Sequence, residues 1–152
     1  MPNKAKPNEV KPGKAKLEIK SDLRELKRVR AFIREYCEKI PGFLIDGKRI
    51  DRIKIDRIEL AITEVTANII KHAYRGHTDG RIQIHAGISG NKMVLNFYDW
   101  GKGFKPSLVP LPKFDGSKDH GFGFYIISQS VDEVIYSRDE KGRNSTYLKI
   151  IL

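Results

Sequence analysis

Three short stretches carry residues that an ordinary core does not need. The first is "ELAITEVTANIIKHAY", Glu59 to Tyr74, where Glu64 and Asn68 stand four residues apart and Lys71 and His72 follow. At roughly 100° per residue, Ile55, Ile58, Ile62, Val65 and Ile69 cluster around one direction of a helix, and the four polar residues cluster around another, roughly 115° away. They form a stripe beside the core face, which on an arbitrary helix is simply a solvated side. The second stretch is "DWGKGF", Asp99 to Phe104. A carboxylate at a strand end, followed by Gly101 and Gly103, lets backbone approach a flat ligand closely. Asp99 is suited to accept a hydrogen bond from an exocyclic amine such as that of adenine; in a structural role the same residues make a turn with glycine at positive φ. The third stretch is "HGFGFYII", His120 to Ile127. Gly121 and Gly123 open an apolar helix, whose first N–H groups and dipole attract an anion; otherwise they ease a loop-to-helix junction. Neither glycine stretch fits G-x-x-x-x-G-K-[ST] after a strand, nor G-x-G-x-x-G in a βαβ unit.

The elements that position these stretches can be read from periodicity. "AKLEIK" alternates and predicts a short first strand. A first helix is expected over about 21–40, with Ser21 as N-cap and Leu23, Leu26, Val29, Ile33, Tyr36, Cys37 and Ile40 as its core stripe. A second helix is expected from about Asp51 to Tyr74. Ile82, Ile84, Ala86 and Ile88 alternate with polar residues, Gly90 and Asn91 turn the chain, and Met93, Leu95 and Phe97 alternate in the next strand. The stretch from Gly101 to His120 is loop-like and holds three prolines. A short helix over about 121–130 and two strands, "DEVIYSR" and "STYLKIIL", close the chain. The order β-α-α-β-β-loop-α-β-β predicts a two-layer α/β sandwich, with a mixed, mostly antiparallel sheet and helices on one face.

Composition narrows the setting. The chain has 152 residues, one cysteine and a net charge of +10. Residues 1–13, rich in Pro, Lys and Asn, read as a flexible basic tail or linker ahead of a single domain over 14–152. A lone cysteine rules out a disulfide framework within one chain, and Cys37 falls on the core stripe. No run approaches a membrane span, and the N-terminus lacks the apolar run of a secretory signal, so a cytoplasmic protein without a membrane partner is expected. Basic stripes with interleaved aromatics are absent, and so are C₂H₂ and RRM-type motifs, so no direct nucleic-acid partner is expected. His77 and His85 show no metal-ligand spacing and read as structural or surface residues.

Taken together and in this order, the three stretches resemble the ATP-binding domains of the GHKL superfamily, on the Bergerat (histidine-kinase-like ATPase) fold. "EVTAN" followed by "KH" resembles the N box, "DWGKG" the first glycine box and "GFGFYII" the second. Thr146, after "GRN", resembles the threonine that the superfamily places on a late strand near the adenine. The resemblance runs from about residue 16 to 152. It is closest to the bacterial anti-sigma-factor serine kinases, with Phe124 standing where leucine is usual.

That resemblance implies cofactors, roles and partners. ATP and Mg²⁺ would be the cofactors. Asn68 would ligate Mg²⁺ through its amide oxygen, since a hard cation prefers oxygen. Glu64 would be the general base. Asp99, Gly101, Gly103 and Thr146 would surround the base of the nucleotide. Lys71, His72, His120, Gly121, Phe122, Gly123 and Phe124 would line the phosphate side, with a small lid over 107–119. The partners would be a sigma factor and a small antagonist (anti-anti-sigma) protein phosphorylated on serine, and members of this subgroup tend to form homodimers. Two other classes stay open: a non-catalytic module whose docking surface nucleotide shapes, and an ATPase domain cut from a larger signalling protein.

Overall fold

The computed structural model describes residues 14–39, 44–45, 48–103 and 122–152. The expected tail over 1–13 and the lid over 107–119 lie outside the described residues. Strand β1 (Ala15–Lys20) alternates as its sequence does and buries Ile19. A 3₁₀ turn (Leu23–Glu25) then leads into helix α1 (Leu26–Lys39). The cap here is Asp22, not Ser21: the Asp22 carboxylate accepts from the Arg24 N–H at 2.9 Å. Ser21 is wholly buried, and its hydroxyl donates to the His77 carbonyl and accepts from the Gly80 N–H at 2.9 Å. Leu23, expected in the core, is 47% exposed because it sits in the turn before the regular helix begins. Val29, Ile33, Tyr36 and Cys37 are buried as their spacing predicts. Burial pushes the Cys37 thiol up to about 12, so it stays protonated and packs as a small apolar group.

A short hairpin, β2 (Leu44–Ile45) and β3 (Lys48–Arg49), follows; its sequence signal, the Asp46-Gly47 dipeptide, was missed by sequence reasoning. Helix α2 (Arg52–Asn68) starts at Asp51, whose carboxylate caps the Lys54 N–H at 2.8 Å. Ile58 and Ile62 on its inner side, and Ile69 just beyond its end, are fully buried or nearly so, and such burial contributes about 1.5–3 kcal/mol per side chain. Arg34 of α1 bridges Asp56 and Glu59 of α2. The regular helix ends at Asn68, short of the expected Tyr74. The chain widens into one π turn (Ile69–Ala73), where the Tyr74 N–H reaches the Ile69 carbonyl at 3.1 Å.

Strands β4 (Arg81–Ser89), β5 (Lys92–Asp99), β6 (Glu133–Arg138) and β7 (Asn144–Ile151) join β1 in a five-stranded sheet of order β1-β4-β5-β7-β6. Every pairing among these strands is antiparallel. One face is covered: Ile82, Ile84, Met93, Leu95, Phe97, Leu148 and Ile150 point into a core shared with the helices. Helix α3 (Phe122–Ser130) packs on α2, and α2 on α1. The result is the expected two-layer α/β sandwich. No helix among the described residues is long and apolar enough to cross a membrane.

Candidate functional site

Asp99 is the last residue of β5, on the buried face, and only 2% of it is exposed. Its Oδ1 accepts from the Gly101 N–H at 3.1 Å and from the Asn144 side-chain amide at 2.8 Å. Burial pushes the carboxyl above its ordinary range; the bonds from Asn144 and Gly101 and the charge of Arg138 pull the other way. Phe97 is opposite Thr146 and Asp99 is opposite Asn144 in the β5–β7 ladder. Thr146 is therefore a diagonal neighbour of Asp99 on the same face, at about 7–8 Å by sheet geometry, and it too is buried.

The loop after Asp99 is tied on three sides. The Trp100 N–H donates to the Tyr74 hydroxyl at 2.9 Å, and that hydroxyl donates to the Arg81 carbonyl. The Lys102 N–H donates to the Ala73 carbonyl at 2.9 Å. Arg138 donates from Nη1 to the Lys102 carbonyl at 2.7 Å. Gly103 has φ +75, and a Cβ there would lie 3.0 Å from Arg138 Nη1 and 3.1 Å from Asn144 Oδ1. Two of the three stretches singled out in the sequence thus meet: the end of the α2–π segment and the Asp99–Gly103 loop are joined through Ala73 and Tyr74.

On the helix itself Asn68 is 8% exposed, and its side-chain nitrogen is buried with no hydrogen-bond partner. An unsatisfied buried amide costs about 1–3 kcal/mol, so this residue is not there for the stability of the empty fold. Glu64, one turn earlier, is half-buried. Lys71 and His72 are exposed on the π turn. Partial burial, then the Lys71 charge, lower the His72 imidazole below its ordinary value. The third stretch is covered only in part. His120 and Gly121 lie outside the described residues, while Phe122, Gly123 and Phe124 open α3.

Sequence reasoning missed Tyr74, Arg138 and Asn144. Tyr74 closes "KHAY" and looks like one more core aromatic, and Asn144 stands in "GRN" two residues before Thr146. The order of polar residues before a late strand was the available signal, but only strand pairing brings them to Asp99.

A five-stranded antiparallel sheet covered by helices on one face, with a buried strand-end aspartate tied to the end of the helix carrying Glu64 and Asn68, defines a two-layer α/β domain with its polar site at the strand ends. Residues 19–150 match the histidine kinase-like ATPase domain, and the chain belongs to that family. Among its relatives, an anti-sigma F factor from Halalkalibacterium halodurans is 31% identical over 88 residues, 53% of this chain and 58% of that protein. A serine-protein kinase, RsbW, from Listeria monocytogenes is 28% identical over 97 residues, 57% of this chain and 60% of that protein. Both matches span less than two thirds of the relative's own length. The histidine kinase domain of a blue-light activated histidine kinase from Erythrobacter litoralis shares the fold at 21% identity and TM-score 0.54, covering 86% of this chain and 60% of that one.

Proposed function

We propose that this chain is a cytoplasmic, ATP- and Mg²⁺-dependent serine kinase of the anti-sigma type, which binds a sigma factor and phosphorylates a small antagonist protein. The observation that carries the reading is the placement of Asn68, buried one helical turn after Glu64 on the segment joined to the Asp99 loop, with its side-chain nitrogen unpartnered. An ion held by one protein oxygen, water and phosphates is how Mg²⁺ commonly binds. Similarity to an anti-sigma F factor and to a serine-protein kinase supports the choice of partners.

On this reading Asp99 accepts the adenine amine, and Thr146 and the Gly101–Gly103 backbone border the base. Asn68 would hold Mg²⁺ through its amide oxygen, and the ion would supply positive charge against the phosphates during transfer. Glu64 takes the proton of a serine hydroxyl as the serine oxygen bonds to the γ-phosphorus. The bond from that phosphorus to the bridging oxygen breaks, and ADP leaves with the electron pair. Lys71 and His72 border the phosphate side. The chain's net charge of +10 favours an acidic partner.

The test is incubation with labelled ATP and a candidate antagonist, followed by mapping of the phosphorylated residue. Phosphoserine on the antagonist, with little ATP hydrolysis in its absence, is the expected result. Tight ATP-dependent partner binding without phosphoserine would replace the kinase by a non-catalytic module, and fast partner-independent hydrolysis would replace it by a free ATPase.

A further inference from the structure

Asn144 stands opposite Asp99 in the β5–β7 ladder. Its side-chain nitrogen donates to Asp99 Oδ1 at 2.8 Å and to the Gly101 carbonyl at 3.1 Å. Both partners are acceptors, so the amide can face them only with its nitrogen. Its oxygen then lies on the Gly103 side, 3.1 Å from where a Cβ of residue 103 would stand. The Gly101 N–H donates to the same Asp99 Oδ1 at 3.1 Å. One carboxylate oxygen therefore takes two donors, and the group cannot turn without breaking both bonds.

We propose that Asn144 is the positioning residue that makes the site select 6-amino over 6-oxo purine nucleotides, by locking Asp99 with Oδ1 occupied and Oδ2 left as the acceptor for the base. This rests on the nucleotide reading given above. The chemistry is a matter of donor and acceptor matching. An Oδ2 held in place offers its lone pairs to the base, so an exocyclic amine fits it and a 6-oxo group meets it acceptor to acceptor. Unlocked, the carboxyl is free to turn and the match is lost. Two other groups bear on Asp99: the Arg138 guanidinium on β6, which favours the carboxylate, and the Tyr74 phenol at the end of the π turn. Arg138 is held to the Lys102 carbonyl, and the Tyr74 hydroxyl is engaged by the Trp100 N–H. Among the described residues, Asn144 is the side chain that bonds the carboxylate directly.

The experiment compares Mg-ATP with Mg-ITP, its 6-oxo counterpart, by calorimetry on the wild-type chain, Asn144→Ala and the isosteric Asn144→Asp. Wild type is expected to prefer ATP. Each variant should reduce the ATP:ITP affinity ratio by about tenfold, the scale of one charged hydrogen bond in a recognition site. A merely structural role would weaken both nucleotides together and leave the ratio unchanged, and that result overturns the proposal. If Asn144→Ala does not fold, Asn144→Asp decides. A wild-type chain that selects ATP while both variants select it equally well removes the role of Asn144 alone. A wild-type chain that binds neither nucleotide removes the nucleotide reading and this inference with it.

Discussion

Gly101 lies against the backbone of Ala73: a Cβ added to it would stand 2.5 Å from the Ala73 carbonyl oxygen and 2.7 Å from the carbonyl carbon. The next residue, Lys102, donates its N–H to that same oxygen. Glycine is therefore required here by the packing of one loop on the end of a helix, whatever a ligand demands of it. The π turn gives the contact its shape, since it sets the course of Ile69–Ala73 where the loop arrives.

Gly101→Ala should accordingly destabilise the empty protein. The clash is with backbone rather than with a flexible side chain, so the loop or the π turn must move, at a cost of about 1–3 kcal/mol or more. Gly87→Ala is the control: its Cβ would meet only the Lys14 Cγ at 3.8 Å, an ordinary contact. Urea denaturation of both variants checks this. Equal midpoints for the two would mean that the Gly101–Ala73 contact does not constrain the fold.

Tyr74→Phe keeps the ring but removes the hydroxyl between the Trp100 N–H and the Arg81 carbonyl. Leaving a part-buried donor and acceptor unmatched should cost about 1–3 kcal/mol. Thermal unfolding reads the cost, and amide exchange at Trp100 should quicken specifically. Unchanged exchange there would show that the hydroxyl does not hold the loop.

The strands were legible because their pairing is antiparallel with one face covered. That arrangement forces Ile82, Ile84 and Ala86, and Met93, Leu95 and Phe97, into strict alternation. The start of α2 was legible because Asp51 is a local cap. The π turn was not, because an i to i+5 hydrogen bond between Ile69 and Tyr74 leaves no periodic mark distinct from an α-helix over five residues. Ser21 was misread for a related reason: a serine before a helix looks like a cap, but its hydroxyl is engaged by Gly80 and His77, far along the chain. Asp99, Gly101 and Thr146 could be picked out as residues, while the hold on them could not. Asn144 and Arg138 reach the Asp99 loop only through the pairing of β5 with β7 and of β7 with β6.

Asp99→Asn tests the cost of burying a carboxylate. Its folded pKa is raised, so the charged form is less welcome in the fold than in the unfolded chain. Wild-type stability from this group is full below the unfolded pKa and falls as pH rises through the folded pKa. Asparagine keeps an Oδ1 to accept from Gly101 and Asn144 and carries no charge. The variant should therefore be more stable than wild type at neutral pH, and the gap should close at acid pH. Midpoints measured across that range check the sign; a gap that widens toward acid pH would reverse it. On the proposed function the same variant should lose adenine nucleotide affinity.

Asn68 and Glu64 lie one turn apart, and the proposed roles separate them cleanly. Asn68→Ala removes a buried amide that has no partner for its nitrogen, and it substitutes a strong helix former. The empty protein should not lose stability, while Mg²⁺-dependent nucleotide binding should fall sharply, because the protein's oxygen ligand is gone. Glu64→Gln keeps the size of a half-buried side chain and removes only the base. Nucleotide affinity should stay near wild type, and phosphoryl transfer to the partner should drop by about 10²–10⁴-fold. Calorimetry with and without Mg²⁺ gives the first half of the comparison, and single-turnover phosphorylation gives the second. Two outcomes would sink the assignment. One is loss of nucleotide binding in Glu64→Gln with the fold intact, which would make Glu64 a binding residue. The other is a marked loss of apo stability in Asn68→Ala with unchanged Mg²⁺ dependence, which would make Asn68 part of the scaffold rather than the hand that holds the metal.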